Sequence, residues 1–153
     1  MKFAVRPRQA PALPGVHGPA RVHRRTASVL GRLHAGDVAV LDHLDMDRAT
    51  AQTLVDAGVV AVVNASPMIS GRYPNLGPAL LVDAGLAVVD SVGPEVFDRV
   101  RDGVAVRVDG GAVHVGDEQV AAGRELTDEL VASEMDRARS GLSAQLESFT
   151  HNS

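Results

Sequence analysis

Short polar residues stand directly after three apolar runs of this chain. Asp42, Asn64 and Asp90 each follow a segment that reads as a buried strand. In an open α/β sheet, ligands bind beyond the carboxyl ends of the strands, so we expect these side chains at one edge, called the crest below. His43 and Ser66 adjoin them in the sequence. This set could bind phosphate through Mg²⁺, and it could equally consist of ordinary helix caps.

The connection after the second run is the most informative stretch. Residues 64–78 read NASPMISGRYPNLGP and hold the chain's one tyrosine. A strand-to-helix crossover usually takes about two to six residues, so this loop is unusually long. Long polar loops on rigid scaffolds frequently carry function. The alternative is a packed surface loop with no ligand. The candidate ligand-binding or partner-binding residues in it are Ser70, Gly71, Arg72, Tyr73 and Asn75.

Two features near the end of this loop would suit an anion. Gly77-Pro78 predicts a helix start with proline in the first turn, where free N–H groups and the helix dipole favour negative charge. Arg72 could add a bidentate grip on phosphate or carboxylate.

These residues do not predict a metal site, a catalytic triad or a nucleotide-binding loop. The acidic stretch of residues 42–47 lacks a recognised metal-ligand spacing and is better explained as a solvated helix start. Ser66, His43 and Asp90 could be drawn as a triad, yet no nucleophile elbow is present. The sequence also contains no Walker A motif and no Gly-x-Gly-x-x-Gly. We therefore expect neither a metal site nor a catalytic residue.

The elements that would position these residues alternate along the chain. Continuous apolar runs separated by helical segments indicate a mostly parallel sheet with right-handed crossovers. We expect Asp45 to cap the first helix of the repeat, with Ala49, Leu54 and Val55 facing inward. The predicted strands are 38–41, 59–63 and 86–89, and the predicted helices are 47–56, 79–84 and one from Pro94 to about 102.

After Gly103 the pattern changes to alternation. Residues 104–108 and 112–115 flank Asp109-Gly110, which is a strong hairpin signal. Residues 18–23 could form another extended strand. The predicted fold class is therefore α/β, with a central mostly parallel sheet, a small antiparallel layer and a long C-terminal helix.

The C-terminal segment from Thr127 predicts a helix of over twenty residues. We expect a connecting helix that leads to a further domain after Ser153. Its apolar stripe has a heptad-like spacing, so the alternative is a homodimer through residues 127–149. The stripe consists of Val131, Met135, Ala138, Leu142, Gln145 and Phe149, widened by Leu130 and Leu146.

Composition and charge narrow the class of protein. Apolar residues make up 45% of the chain, which predicts a globular domain, and the absence of cysteine fits a reducing cytoplasm. No apolar run reaches the ~18 residues of a membrane span. Residues 1–36 carry seven basic side chains and no acidic one, whereas the remainder has a net charge of −11. We favour pairing of the basic segment within its own domain, because nucleic-acid-binding motifs are absent.

One resemblance concerns the scaffold. Residues 36–40 (GDVAV), 71–72 (GR), 84–89 (AGLAVV), 106–110 (VRVDG) and 113–116 (VHVG) resemble the swivelling phosphohistidine domain of phosphoenolpyruvate-utilising enzymes. The resemblance implies a layered β/β/α domain. That family's catalytic histidine follows the Gly-Arg pair, but residues 73–76 here read YPNL, so phosphohistidine transfer is not expected.

A second resemblance covers nearly the whole chain. Residues 36–47, 64–78 and 92–97 are similar to the N-terminal domain of the SteA proteins, which are cytokinetic-ring proteins of actinobacteria. The string SGRYPNLGP at residues 70–78 carries this match. The resemblance implies a role in septum formation with a membrane partner, SteB, at the inner face of the membrane. In that family a thiamin-pyrophosphokinase-like domain follows, which could use ATP and Mg²⁺, and then a membrane segment.

These observations predict three parts. Residues 1–14 form a flexible basic lead-in, residues 15–124 the swivelling-type domain, and residues 125–153 the connecting helix. The predicted function is that of a non-catalytic, protein-binding domain, and no cofactor is expected in these residues. The alternative is an accessory part of a thiamin-pyrophosphokinase-like enzyme that helps to bind nucleotide or thiamin phosphates.

Overall fold

The computed structural model of this chain describes residues 13–152, without the side chains of residues 145 and 147–152. The predicted lead-in of residues 1–14 therefore falls almost wholly outside the described residues. The elements are β1 (Val16–Val22), α1 (Thr26–Leu30), β2 (Val38–Leu41), α2 (Arg48–Ala57), β3 (Ala61–Asn64), α3 (Gly77–Asp83), β4 (Ala87–Asp90), α4 (Val96–Arg99), β5 (Ala105–Asp109), β6 (Ala112–Val115), β7 (Glu118–Ala122), β8 (Arg124–Glu125) and α5 (Asp128–Asn152).

The strands form one sheet in the order β7-β6-β5-β1-β2-β3-β4-β8. Strands β1 to β4 run parallel to one another, and β5, β6 and β7 continue from the β1 edge in antiparallel pairing. At the other edge, β8 pairs antiparallel with β4. The strands at the two ends of this order, β7 and β8, are separated in sequence by Gly123 alone, so the sheet curls back on itself. The predicted α/β class with a parallel centre and an antiparallel part is confirmed.

Two apolar cores explain the layering. Successive residues of a strand point to opposite faces, so β2 divides its side chains between them. Ala39 and Leu41 pack with residues of the helices, whereas Val38 and Val40 pack with residues of β5, β6 and β7. The parallel strands therefore lie between a helical layer and an antiparallel layer, which is the expected β/β/α arrangement.

Several local predictions need correction at α2. The N-cap is Asp47 rather than Asp45, because the Asp47 carboxylate accepts a hydrogen bond from the backbone N–H of Thr50 at 3.0 Å. Ala49 is exposed, and the inward position is taken by Ala51, which is fully buried beside Leu54.

The third predicted helix is much shorter than expected. α4 ends at Arg99 instead of continuing to Gly103, because Val100 adopts an extended backbone conformation. Strands β3 and β4 also begin later than predicted, at Ala61 and Ala87, and include the polar residues Asn64 and Asp90 as their last members.

The first half of α5 belongs to the domain's own core. Val131, Met135 and Ala138 are buried in the helical-side cluster with residues of α2 and α3. The predicted helix of over twenty residues is confirmed, since α5 has 25 residues. Half of the apolar stripe is thus buried within its own domain.

Two arginines of the basic segment pair with acids of the same domain. Arg21 Nε lies 3.0 Å from Asp37, and Arg32 Nη1 lies 2.8 Å from Asp102. This confirms the favoured interpretation for these two arginines. Within residues 13–152, no helix combines the length and the apolar character needed to cross a membrane.

Candidate functional site

The crest exists, and most of its polar groups are already used by the fold. Leu41 of β2 is in register with Asn64 of β3, so Asp42 and Asn64 lie at the same end of the sheet, as does Asp90 of β4. Asn64 and Asp90 are fully buried, whereas Asp42 is exposed.

Asn64 holds the chain that leaves β2. Its Oδ1 accepts a hydrogen bond from the backbone N–H of His43 at 2.8 Å, and its Nδ2 donates to the backbone carbonyl of His43 at 2.8 Å. The side-chain amide of Asn64 thus pairs with both backbone groups of His43, its N–H and its carbonyl. With its main hydrogen-bonding capacity used in this way, Asn64 acts as a structural clamp.

Asp90 is the anchor of the long loop. Its carboxylate accepts a hydrogen bond from the backbone N–H of Met68 at 2.7 Å, and it accepts two more from Arg124, through Nε and Nη2, at 2.8 Å each. The hydrogen bond to Asp90 is the main reason that the pKa of Arg124 is raised above its ordinary value, and burial opposes the effect. A buried carboxylate paired in this way has little capacity left for a metal ion or a phosphate-bound Mg²⁺.

The other residues near the strand ends, His43, Asp42 and Ser66, also have hydrogen-bond partners within the domain. His43 Nδ1 lies 2.7 Å from Thr26 Oγ1, and its Nε2 lies 3.2 Å from Asp47 Oδ1. Ser66 donates a short hydrogen bond to the Asp42 carboxylate. No group of three or more histidine and acidic side chains that could hold a metal ion occurs among the residues described here.

The first half of the loop, residues 64–70, is fixed to the segment after β2. Asp45 has a left-handed backbone (φ 54°), and its carboxylate accepts hydrogen bonds from Ser70 N at 2.7 Å and Ser70 Oγ at 2.9 Å. Met68 and Ile69 are buried in the helical-side core. The left-handed conformation costs an aspartate about 1 kcal/mol, which these hydrogen bonds offset. Ser70 therefore positions the loop.

Three side chains of the second half are exposed to solvent. Arg72 is exposed, and Tyr73 and Leu76 are 46% and 52% exposed. These three residues are called the tip patch below. Beneath it, a Cβ on Gly141 of α5 would lie 3.2 Å from the carbonyl oxygen of Gly71, so the helix passes directly against the loop.

Asn75 differs from every other polar residue of the loop. Both its Nδ2 and its Oδ1 are buried, and neither has a hydrogen-bond partner among the residues that the structure describes. A buried polar group without a partner costs about 1–3 kcal/mol, so the loop contains an unmet hydrogen-bonding requirement beside the tip patch.

The start of α3 does not offer the predicted space for an anion. A Cβ on Gly77 would collide with the carbonyl oxygen of Met46 and would lie 2.7 Å from that of Asp47. Carbonyl oxygens carry partial negative charge, and α3 has only seven residues. The arrangement therefore disfavours an anion at this helix start.

A groove of about 330 Å³ adjoins the tip patch between α3 and α5. Leu76 of the tip patch is one of its lining residues. The lining is apolar at Leu76, Ala79, Val131, Ala132 and Met135, and charged at Asp128, Asp136 and Arg139.

Sequence reasoning missed Arg124 and Thr26, which contact the crest from distant elements. A signal existed for Arg124, because a buried carboxylate at a strand end requires a cationic partner. The sequence does not show which of the fourteen arginines supplies it. No family model matches this chain, and no curated protein matches it.

Proposed function

We propose that this chain is the non-catalytic N-terminal domain of a SteA-like cell-division protein, and that it acts in septum formation through protein–protein contacts. The string at residues 70–78 supports the family assignment. In this proposal the domain works on the cytoplasmic side of the membrane at the septum, with a SteB-like membrane protein as partner.

The observation that carries the proposal is the contrast between the two halves of the loop. The first half is fixed by Asp45 and Asp90, so the position of the tip patch is set before any partner arrives. A surface that is rigid in the free protein binds with a smaller loss of conformational entropy. The crest below it has used its polar groups for structure, which favours docking over catalysis.

The chemistry of the tip patch fits a protein partner. Tyrosine and arginine are the residue types most enriched among interface hot spots, and Leu76 adds apolar area at the mouth of the groove. Among the described residues, the Arg72 side chain has no hydrogen bond or ion pair, so its guanidinium is available to an acidic group. Next to the tip patch, Asn75 adds an amide whose donor and acceptor have no partner among the described residues.

The test uses the full-length protein and a SteB-like partner. Arg72→Ala and Tyr73→Ala are each expected to weaken binding about tenfold, the loss typical of a hot-spot residue, at unchanged thermal stability. Arg99→Ala is the matched control, because Arg99 is an exposed arginine that pairs with Glu118 elsewhere. Normal binding by both loop variants would contradict the proposal.

Arg72 also supports a second candidate function. The Arg72 guanidinium, which has no partner among the described residues, could help to bind the phosphates of a nucleotide or thiamin substrate held by a neighbouring kinase-like domain, with ATP and Mg²⁺ supplied there. A thermal-shift screen of the two-domain protein with ATP, Mg²⁺ and thiamin phosphates tests this candidate. A shift that Arg72→Ala removes would favour it, and the absence of any shift would exclude it.

A further inference from the structure

A row of three nitrogen-rich side chains crosses the outer face of the antiparallel layer. His17 of β1 is in register with Arg107 of β5, and Arg107 is in register with His114 of β6. Residues directly opposite on neighbouring strands have Cβ atoms about 4.5–5.5 Å apart, so the side chains of His17 and His114 start on either side of Arg107. Val106 and Val108 point into the core, which places the row on the opposite side of β5.

A shallow cavity of about 230 Å³, open to solvent and bordered by the exposed Leu13, lies at this row. Most of its remaining lining is apolar, so the nitrogen atoms are the main polar groups that a ligand would meet. This volume is somewhat below the ~300 Å³ at which pockets for drug-sized ligands begin, and it suits a smaller molecule. The lining residues are Leu13, His17, Ala105, Val106, Arg107, His114 and Gly116.

The guanidinium of Arg107 is incompletely paired although it is mostly buried. Its side chain is 16% exposed, and its Nη1 donates a hydrogen bond to the carbonyl oxygen of Pro14 at 2.9 Å. The Asp109 carboxylate lies 3.8 Å from the same nitrogen, beyond hydrogen-bond distance. Arg107 Nε is buried and has no partner among the described residues. Buried charges are normally paired and hydrogen-bonded, so the Arg107 guanidinium is short of acceptors among the described residues.

We propose that this cavity binds a small organic carboxylate. The carboxylate accepts hydrogen bonds from Arg107 and from the imidazoles of His17 and His114, and the short apolar part of the ligand packs against Leu13 and Ala105. Apolar walls around a few convergent polar groups are the usual design of a small-ligand site. The site lies on the antiparallel layer, away from the crest and the tip patch, and is independent of the proposed function.

The charge balance favours a carboxylate over inorganic phosphate. Asp109 offsets part of the Arg107 charge, so the guanidinium gives the site at most one full positive charge. A monoanion is compensated by that charge, whereas a phosphate dianion would leave a negative charge against apolar walls.

The experiment is an NMR titration of the full chain, with the imidazole signals of His17 and His114 as the readout. Isobutyrate is the probe, isobutanol is its uncharged counterpart, and inorganic phosphate is the anion without an apolar part. We expect isobutyrate to shift both imidazole signals, with a dissociation constant on the order of 1 mM for so small a ligand. Isobutanol and phosphate are expected to bind at least about tenfold more weakly.

Variants connect the shifts to Arg107. Arg107→Met is expected to abolish isobutyrate binding. Arg107→Lys, which keeps the charge but not the planar donor edge, should weaken it about tenfold and decides the matter if the methionine variant does not fold. Arg99→Met, a change on an exposed arginine, should leave binding unchanged. No imidazole shift at saturating isobutyrate, equal binding of phosphate, or undiminished binding by the Arg107 variants would each overturn the proposal.

Discussion

Two asparagines in the same loop make opposite use of their amides. Asn64 satisfies both the N–H and the carbonyl of His43, whereas both amide atoms of Asn75 are buried and unpaired among the described residues. Asn64→Ala leaves two backbone groups without partners and is expected to lower the free energy of unfolding by about 2–4 kcal/mol. Asn75→Ala removes two buried polar atoms that form no hydrogen bond among the described residues, so it should leave the free energy of unfolding unchanged or raise it by up to about 1 kcal/mol. Urea unfolding of the two variants measures the difference.

The pair also separates a structural role from a binding role. If Asn75 serves the partner, Asn75→Ala weakens partner binding while the fold becomes no less stable. A destabilisation of Asn75→Ala equal to that of Asn64→Ala would show that the Asn75 amide is satisfied in solution.

The N-cap of α2 gives a prediction about pH. The hydrogen bond from the Thr50 side chain is the main reason that the pKa of Asp47 lies below its ordinary value of 3.8. A carboxyl with a lowered pKa in the folded state contributes stability above its unfolded pKa and loses it as the pH falls through the folded pKa. Because the side chain is 55% exposed, the contribution is about 0.5 kcal/mol after screening.

Asp47→Asn isolates that contribution, since asparagine caps a helix as well as aspartate. We expect the variant to be about 0.5 kcal/mol less stable than the parent at pH 7 and the difference to disappear as the pH falls from about 4 towards 2. Thr50→Val should move the pKa of Asp47 back towards its ordinary value in a carboxyl NMR titration. A difference between Asp47→Asn and the parent that does not change with pH would contradict the assignment.

At the scale of elements, the close contact between the start of α3 and the segment before α2 sets the position of the loop's end. Gly77 leaves no room for a side chain beneath the carbonyl oxygens of Met46 and Asp47. Gly77→Ala must therefore separate the two segments, and we expect it to lower the free energy of unfolding by about 3 kcal/mol.

Gly31→Ala is the matched control for that substitution. Gly31 has a right-handed helical backbone (φ −73°), and an added Cβ would meet only Ala27 O, at 3.8 Å. This change should be neutral or slightly stabilising, because alanine has less conformational freedom to lose on folding. Equal thermal midpoints for the two variants would show that the segments around Gly77 can move apart at little energetic cost.

The elements themselves differ in how well the sequence predicts them. The cores of β2, the β5–β6 hairpin and α5 have continuous, alternating or helical apolar spacing, and these local patterns are sufficient to locate them. The end of α4 and the left-handed backbone at Asp45 depend on contacts with distant segments. Asp45 adopts that conformation because Ser70, 25 residues later, donates two hydrogen bonds to it. Local spacing contains no such information.

The candidate site shows the same division. Spacing correctly placed Asp42, Asn64 and Asp90 at one edge of the sheet, because parallel strands end together. It could not show that Asn64 and Asp90 are fully paired inside the domain, since their partners come from the backbone of His43 and from Arg124. The length of the loop predicted its exposed part correctly, because a long segment between a strand and a helix must extend away from the sheet.

At the scale of the whole molecule, the curled sheet brings the end of β7 back to β4, and the chain then enters α5. The helix packs its first half against α3, and its Val131, Met135 and Ala138 are buried in the helical-side core. Cutting the chain after residue 124 would therefore expose part of the core. A truncated chain that tests association through α5 must keep the buried first half of the helix. Gly141, which lies beside the loop, is a suitable last residue for that chain.

The association prediction follows from the length of helix that remains. Residues 142–152 extend α5 by about 16 Å, fewer than two heptads, and helices of this length rarely form a stable coiled coil in water. We therefore expect the chain of residues 1–153 and a chain of residues 1–141 both to be monomers by light scattering at micromolar concentration, with similar thermal midpoints. A dimer mass for 1–153 that 1–141 loses would contradict this and support the alternative of a homodimer through the apolar stripe. A lower midpoint for 1–141 at monomer mass would instead show that residues beyond Gly141 stabilise the domain within one chain.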